Sequence, residues 1–120
     1  MLALLLAAGG GAYAVAGTPT NLEWAIVTPA GKLARHHGAV EAKQVRSHHK
    51  VEPGVYEVEF NEDVSSCAYS VTLGSPGTKA PPSGQVGVTR LTRIDNTLVV
   101  HTTNARGKGF AAGFHLIITC

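Results

Sequence analysis

Alternating apolar and polar positions recur along the chain after residue 21 and predict short β-strands. The alternation is clearest at residues 55–60, where two glutamates separate Tyr56, Val58 and Phe60. A strand with this pattern buries one face and leaves the other in water. Further strands are predicted at residues 22–28, 33–35, 39–45, 64–73, 85–93, 98–103 and 110–120.

Turn-forming residues separate the predicted strands. Residues 29–32 (PAGK) indicate a hairpin turn, and residues 46–53 indicate a polar loop closed by a Pro-Gly pair. Residues 74–84 (GSPGTKAPPSG) form a proline-rich loop that cannot adopt regular structure. This spacing predicts an all-β domain over residues 22–120, an antiparallel β-sandwich of seven or eight strands with a jelly-roll or Ig-like arrangement.

The two cysteines, Cys67 and Cys120, are expected to form one disulfide. The chain has 120 residues, and a small domain gains from a covalent link because it buries a modest fraction of its surface. Strand alternation places Cys67 on the face of Tyr69 and Val71, and Cys120 on the face of Ile118. Two free buried thiols are the alternative. No Cys-x-x-Cys spacing indicates a Cys-based metal or redox site.

The first 16 residues resemble a secretory signal peptide. A short apolar run at residues 2–8 is followed by Ala-x-Ala patterns at residues 12–16, although no Lys or Arg precedes the run. The alternative is a retained apolar segment used in assembly, with residues 17–21 as a linker. The run is too short and too rich in glycine for a stable membrane span. Together with an even cysteine count, this pattern indicates an extracellular or cell-surface protein.

The net charge of +2 does not require a polyanionic partner, but the charges are unevenly distributed. Residues 32–50 are basic, with Glu41 as the one acidic residue, whereas residues 52–63 carry acidic residues and no cation. Two interpretations remain open, cross-strand charge pairing and a self-complementary surface that sets subunit contacts. The candidate interaction residues are Lys43, Arg46, Lys50, Glu57 and Glu59.

The basic segment also contains two histidine pairs, which are candidate metal ligands: His36, His37, His48 and His49. Zinc requires three or four ligands, and neighbouring strand residues face opposite ways, so each pair offers one ligand to a shared site. Glu41 or Glu52 would have to complete the site. The default is an exposed basic segment that tunes subunit contacts or the response to pH. No nucleic-acid partner is predicted, because no aromatic residue is interleaved for base stacking.

Catalytic motifs are not recognised in this sequence. It contains no G-x-S-x-G and no glycine-rich phosphate loop, and His101 and His115 fit ordinary sheet positions. Glu57 and Glu59 are interpreted as residues on the solvent-exposed face of an amphipathic strand. Most aromatic residues are assigned to the core or the N-terminal segment, so a sugar-binding platform is not favoured. A non-enzymatic protein without a cofactor is expected, and the loops at 46–53 and 74–84 are candidate binding loops.

Three stretches, WAIVTPAGKLAR, GVYEVEFNEDVSSCAYSVTLG and GFHLIITC, resemble a C-terminal module of secreted actinobacterial proteins of unknown function. The resemblance covers residues 22–120. In that family the module often follows collagen-like or tail-fibre-like segments. The resemblance therefore implies a β-sandwich head displayed outside the cell, oligomerisation and no catalytic residues. Residues 38–54 are longer than in the family, so the histidines next to and within them are not inherited as site residues.

These observations favour a structural or adhesive module that forms homo-oligomers, either an oligomeric head or a surface-filament subunit. An extracellular or cell-surface ligand is a further expectation. The alternative is a monomeric secreted domain that binds a ligand or a metal through its His-rich loop.

Overall fold

The computed structural model describes residues 22–120, so the expectations for residues 1–21 lie outside it. Eight β-strands and no helix occur in this range, and hence none that is long and apolar enough to cross a membrane. The strands are β1 (Leu22–Val27), β2 (Leu33–His37), β3 (Ala39–Ser47), β4 (Lys50–Phe60), β5 (Ala68–Leu73), β6 (Gly84–Arg90), β7 (Thr97–Asn104) and β8 (Phe114–Thr119).

The strands form two antiparallel four-stranded sheets that pack into a β-sandwich, which confirms the predicted fold class. The first sheet has the order β2-β1-β8-β5, and the second has the order β3-β4-β7-β6. The strands β1 and β8, the first and last along the described chain, are therefore hydrogen-bonded neighbours at the centre of the first sheet.

The core lies between the sheets and is built from the alternate residues of both inner faces. Tyr56 and Phe114 meet edge to face at its centre, with ring centroids 5.1 Å apart. Their burial and that of the other inward residues supplies the main driving force for folding. The fully buried large side chains are Tyr56, Phe60, Phe114, Leu98, Leu116, Ile118, Val27, Val58, Val64, Val100 and Thr102.

The predicted polar loop at residues 46–53 is wrong, because β3 and β4 extend through most of it. Ser47 pairs with Lys50, so the turn between them consists of His48 and His49, with φ angles of 53° and 67°. Two consecutive positive φ angles match the twist that short hairpins require, but the usual signal is Asn-Gly. Pro53 is tolerated within β4 because the ladder to β3 is irregular there and requires no N–H from it.

Several other predicted strands were too long. The segment before β5 is a set of turns, in which Val64 is buried while its N–H donates to the Asp95 carbonyl at 2.8 Å. Residues 110–113 precede β8 as irregular backbone. In both places buried apolar residues occur without strand structure, so alternation alone placed the strand ends incorrectly.

The chain passes from the first sheet to the second at Gly38, between β2 and β3. Gly38 has a φ of 89°, and a Cβ atom there would lie 2.8 Å from Glu23 Cδ. A larger residue would therefore be strained in its backbone and would clash with a buried side chain. This glycine allows the direct crossover, without a loop, between the two edge strands.

The two ends of the sandwich differ. At the disulfide end, Cys67 and Cys120 form the predicted bond beside the paired residues Ala68 and Thr119. At the loop end, which lies at the opposite ends of β1, β5 and β8, the proline-rich loop and residues 110–113 meet. The six residues of β1 separate the two ends by about 17 Å along the strand.

Candidate functional site

The two histidine pairs lie far apart. His36 and His37 end the edge strand β2 of the first sheet, whereas His48 and His49 form an exposed turn of the second sheet. The nine residues of β3 separate the pairs, which corresponds to about 30 Å of extended chain. The structure therefore does not bring the four imidazoles together. Within residues 22–120, no group of three or more His, Cys, Asp or Glu side chains could hold a metal ion.

The predicted interaction residues Lys43, Glu57 and Glu59 share the outer face of the second sheet. Lys43 on β3 is paired with Glu57 on β4, and their Nζ and Oε1 atoms lie 3.8 Å apart. Glu59 lies opposite Glu41, so two like charges face each other at the next outward pair. Cross-strand pairing thus accounts for one acidic residue, and such an exposed pair contributes little to stability.

The other two interaction residues, Arg46 and Lys50, flank the histidine turn. Arg46 donates from Nη2 to the carbonyl of His49 at 2.8 Å, which ties the turn to β3. Lys50 is exposed at the start of β4. The side chains of Gln44 and Tyr56, which are paired across β3 and β4, both donate to the carbonyl of Pro29 in the β1–β2 turn. The histidine turn lies beyond this pair along the hairpin, so it projects past the loop end.

A cleft of about 300 Å³ opens at the loop end. The proline-rich loop forms one wall, residues 110–113 form the other, and Pro29 contributes from the β1–β2 turn. Most of the lining is apolar, and Phe110 is 44% exposed. Among the described residues that line the cleft, Lys79 is the charged one. The loop predicted as a candidate binding loop thus forms part of a concave site.

Side chains of the first sheet fix the proline-rich loop. Arg35 donates from Nη2 to the carbonyl of Pro76 at 2.9 Å, and His115 Nε2 donates to the carbonyl of Ser75 at 2.9 Å. The Gly74 N–H donates to the Gly113 carbonyl at 3.1 Å, which joins the two walls directly. His115 is therefore a hydrogen-bonded sheet histidine, and a loop without secondary structure is held in a defined position.

Side chains of the second sheet fix the rest of the cleft. The Tyr56 hydroxyl donates to the Pro29 carbonyl at 2.7 Å and accepts from the Ala112 N–H at 3.1 Å. The Thr102 hydroxyl donates to the Phe110 carbonyl at 2.6 Å, and the Phe110 N–H donates back to the Thr102 carbonyl at 3.2 Å. Burial raises the pKa of the Tyr56 hydroxyl, so the group remains a neutral donor.

Charges are divided between the two ends of the molecule. Around the loop end lie most of the 10 Lys and Arg residues, namely Lys32, Arg35, Arg46, Lys50, Lys79, Arg106 and Lys108. Around the disulfide end lie most of the carboxylates, namely Glu23, Glu41, Glu59, Glu62, Asp63 and Asp95, with Arg90 and Arg93 among them. Glu52 is the one carboxylate close to the basic end, so the cleft opens in a positive field.

The outer face of the first sheet carries a group of apolar side chains among polar ones, whereas that of the second carries charged residues. Leu22, Trp24 and Ile26 point outward from β1, and Ile117 points outward from the neighbouring strand β8. Leu22 is 52% exposed and Ile117 is 46% exposed. The expected placement of most aromatic residues in the core holds for Tyr56, Phe60 and Phe114, but Trp24 and Phe110 lie outside it.

The cleft was only partly accessible to sequence reasoning. The prolines and glycines marked the loop, but nothing in the sequence indicated that Arg35 and His115 bond to it. The signal for Phe110 was its isolation between glycines and alanines, which gives it no strand alternation. No protein-family model, curated protein or solved structure matches this chain.

Proposed function

We propose that the chain is a non-catalytic extracellular module, structural or adhesive, that assembles with copies of itself. The observation that carries this proposal is the apolar outer face of the first sheet, where Leu22, Trp24, Ile26 and Ile117 form a continuous group on two neighbouring strands. Exposed apolar side chains grouped on one face are a feature of protein interfaces.

The polarity of the molecule supports a displayed head. The described chain begins at Leu22, which pairs with Thr119 at the disulfide end, whereas the cleft and the histidine turn lie at the loop end. A segment attached before residue 22 would therefore leave the loop end facing away from its anchor. The resemblance to secreted actinobacterial modules, which often follow stalk-like segments, points in the same direction.

Sedimentation velocity of the full chain at micromolar concentration tests the assembly. Ile117→Lys places a charge on the apolar face and should convert the oligomer to a monomer, because an unpaired charge cannot be buried in an apolar interface. Ile94→Lys is the matched control, since Ile94 is also 46% exposed but lies in the β6–β7 turn. A clean wild-type monomer would reject the proposal.

The role of residues 1–16 belongs to the same proposal and requires a separate measurement. They act either as a signal peptide or as a retained apolar segment that packs on a neighbouring copy or adds a strand to it. N-terminal sequencing of secreted protein distinguishes the two. A mature chain that begins near residue 17 indicates cleavage, and an intact Met1 indicates retention.

A monomeric domain that binds metal at the histidine turn is the alternative function. His48 and His49 are both exposed there, but zinc sites use three or four ligands, so at least one ligand would have to come from elsewhere. Calorimetric titration with zinc decides the matter. A heat of zinc binding that is lost in His48→Ala and kept in His36→Ala would support a metal site at the turn. No heat of binding at micromolar protein would reject that site.

A further inference from the structure

The cleft at the loop end is preformed, which is the first property expected of a binding site. Its proline-rich wall has no regular secondary structure, yet Arg35, His115, Tyr56 and Thr102 hold its lining segments by hydrogen bonds of 2.6–3.1 Å. These side chains come from both sheets. Prolines in the wall restrict its backbone further, so little ordering entropy remains to be lost when a ligand binds.

Several backbone carbonyls of the cleft are used within the chain. The carbonyls of Pro29, Ser75, Pro76, Phe110 and Gly113 all accept hydrogen bonds from the protein itself. Most of the remaining lining is apolar side chain, which favours an apolar ligand over a sugar. The exposed ring of Phe110 and the proline rings offer apolar contact instead, so the body of a ligand should be aromatic or branched aliphatic.

The charge of the cleft indicates that the ligand also carries an anionic group. Lys79 lines the cleft, and the surrounding loop end is basic, with Glu52 as the one nearby carboxylate. A ligand anion would therefore be attracted both by a direct contact and by the wider field. The volume of about 300 Å³ is at the small end of the range for small-molecule sites.

From these three properties we infer that the cleft binds an amphipathic carboxylate, with an apolar body against Phe110 and the prolines and its carboxylate at Lys79. This site is separate from the apolar outer face of the first sheet, so it is expected in a monomer and in an assembly alike. Failure of the assembly proposal would leave it untouched.

Amide chemical shifts of the uniformly ¹⁵N-labelled full chain, titrated with 3-phenylpropionate, test this inference. The probe should shift the amides of residues 74–79 and 110–113 saturably at millimolar concentration. 3-Phenylpropanol has the same ring without the charge and should bind about threefold to fivefold more weakly, the effect of one exposed charge contact.

Two variants and two matched controls assign the contacts. Lys79→Gln should weaken binding of 3-phenylpropionate about threefold to fivefold, whereas Lys32→Gln, at the same end but outside the lining, should leave it nearly unchanged. Phe110→Ala should weaken it about tenfold. Ile117→Ala removes a side chain of similar exposure, 46% against 44%, and should have no effect.

Four results would overturn the inference. These are the absence of saturable shifts, shifts centred on Trp24 and Ile117, equal binding of the alcohol and the carboxylate, and shifts of the cleft amides that follow protein concentration without any probe. The last result would mean that a second copy of the chain occupies the cleft.

Discussion

At the scale of single residues, Glu23 carries its carboxyl group into the space between the two sheets. The residue is 8% exposed, and its Oε1 atom has no hydrogen-bond partner among the described residues. Burial raises the pKa of Glu23, the charge of Glu62 raises it further, and His37 lowers it. Because the folded state holds this proton more tightly than the unfolded chain, the associated stability is fully present below the pKa of an unfolded glutamate. It is lost as the pH rises through the pKa of the folded Glu23.

Glu23→Gln should therefore stabilise the protein at neutral pH by about 1 kcal/mol, because it removes a buried charge. The gain should shrink as the pH falls below 4, where the wild-type carboxyl becomes protonated in the folded and the unfolded state alike. Urea unfolding at a series of pH values measures this difference. Glu52→Gln, an exposed carboxylate on β4, is the control and should show no such trend. An equal gain in stability at neutral and at acidic pH would show that the charge of Glu23 is not the cause.

Tyr56 links the core to the cleft through its hydroxyl group. Tyr56→Phe keeps the ring contact with Phe114 but leaves the Ala112 N–H without its partner. We expect a loss of about 1–3 kcal/mol in the free energy of unfolding, together with faster amide exchange at residues 110–113. Tyr69→Phe is the comparison, since the Tyr69 hydroxyl makes one hydrogen bond, to the Val64 carbonyl at 2.7 Å. Unchanged exchange at residues 110–113 in Tyr56→Phe would contradict the role assigned to the hydroxyl.

At the scale of elements, the histidine turn is the connection whose residues fit its geometry least well. His48 and His49 both adopt positive φ angles, which cost energy for residues other than glycine and asparagine. Replacing them by Asn-Gly should raise the free energy of unfolding by about 1–2 kcal/mol. The midpoint of urea unfolding measures the change.

The other histidine pair provides the control for this prediction. His36→Asn combined with His37→Gly makes the same replacement inside β2, where an extended backbone is required. There the glycine should destabilise the protein by about 0.5–1 kcal/mol. Equal responses at the two pairs would mean that the turn geometry does not determine the result.

The strands themselves differed in how well the sequence predicted them. β4 alternates cleanly over residues 55–60, because one face packs on the core and the other meets solvent. β1 alternates in burial but not in polarity, since Glu23 faces inward while Leu22 and Trp24 face outward. The histidine hairpin was predicted as a loop because Pro53-Gly54 is a turn signal and His48-His49 is not one of the residue pairs that mark a two-residue hairpin turn. The pairing of β1 with β8 joins residues about ninety positions apart, and local periodicity contains no information on such contacts. The sequence did not reveal the cleft for the same reason, because the cleft forms only when β1 and β8 are paired.

At the scale of the whole molecule, the two ends differ in what they carry. The disulfide end carries the covalent link and most of the carboxylates, and the loop end carries the cleft and most of the cations. The proposed assembly uses neither end, because its contacts lie on the outer face of the first sheet, so the cleft stays accessible in it. Contacts through Ile117 in the proposed assembly should depend little on salt, because they involve no exposed charges.

The disulfide gives the last prediction, which separates stability from binding. Cys67 and Cys120 are 53 positions apart, and removing a link of this span should lower the free energy of unfolding by about 4 kcal/mol. The double variant Cys67→Ala with Cys120→Ala tests this by urea unfolding, and reduction of the wild-type protein should produce the same loss. Because the bond lies about 17 Å from the cleft along β1, the folded fraction of the variant should bind 3-phenylpropionate with unchanged affinity. Loss of binding in molecules that remain folded would show instead that the two ends are coupled through the first sheet.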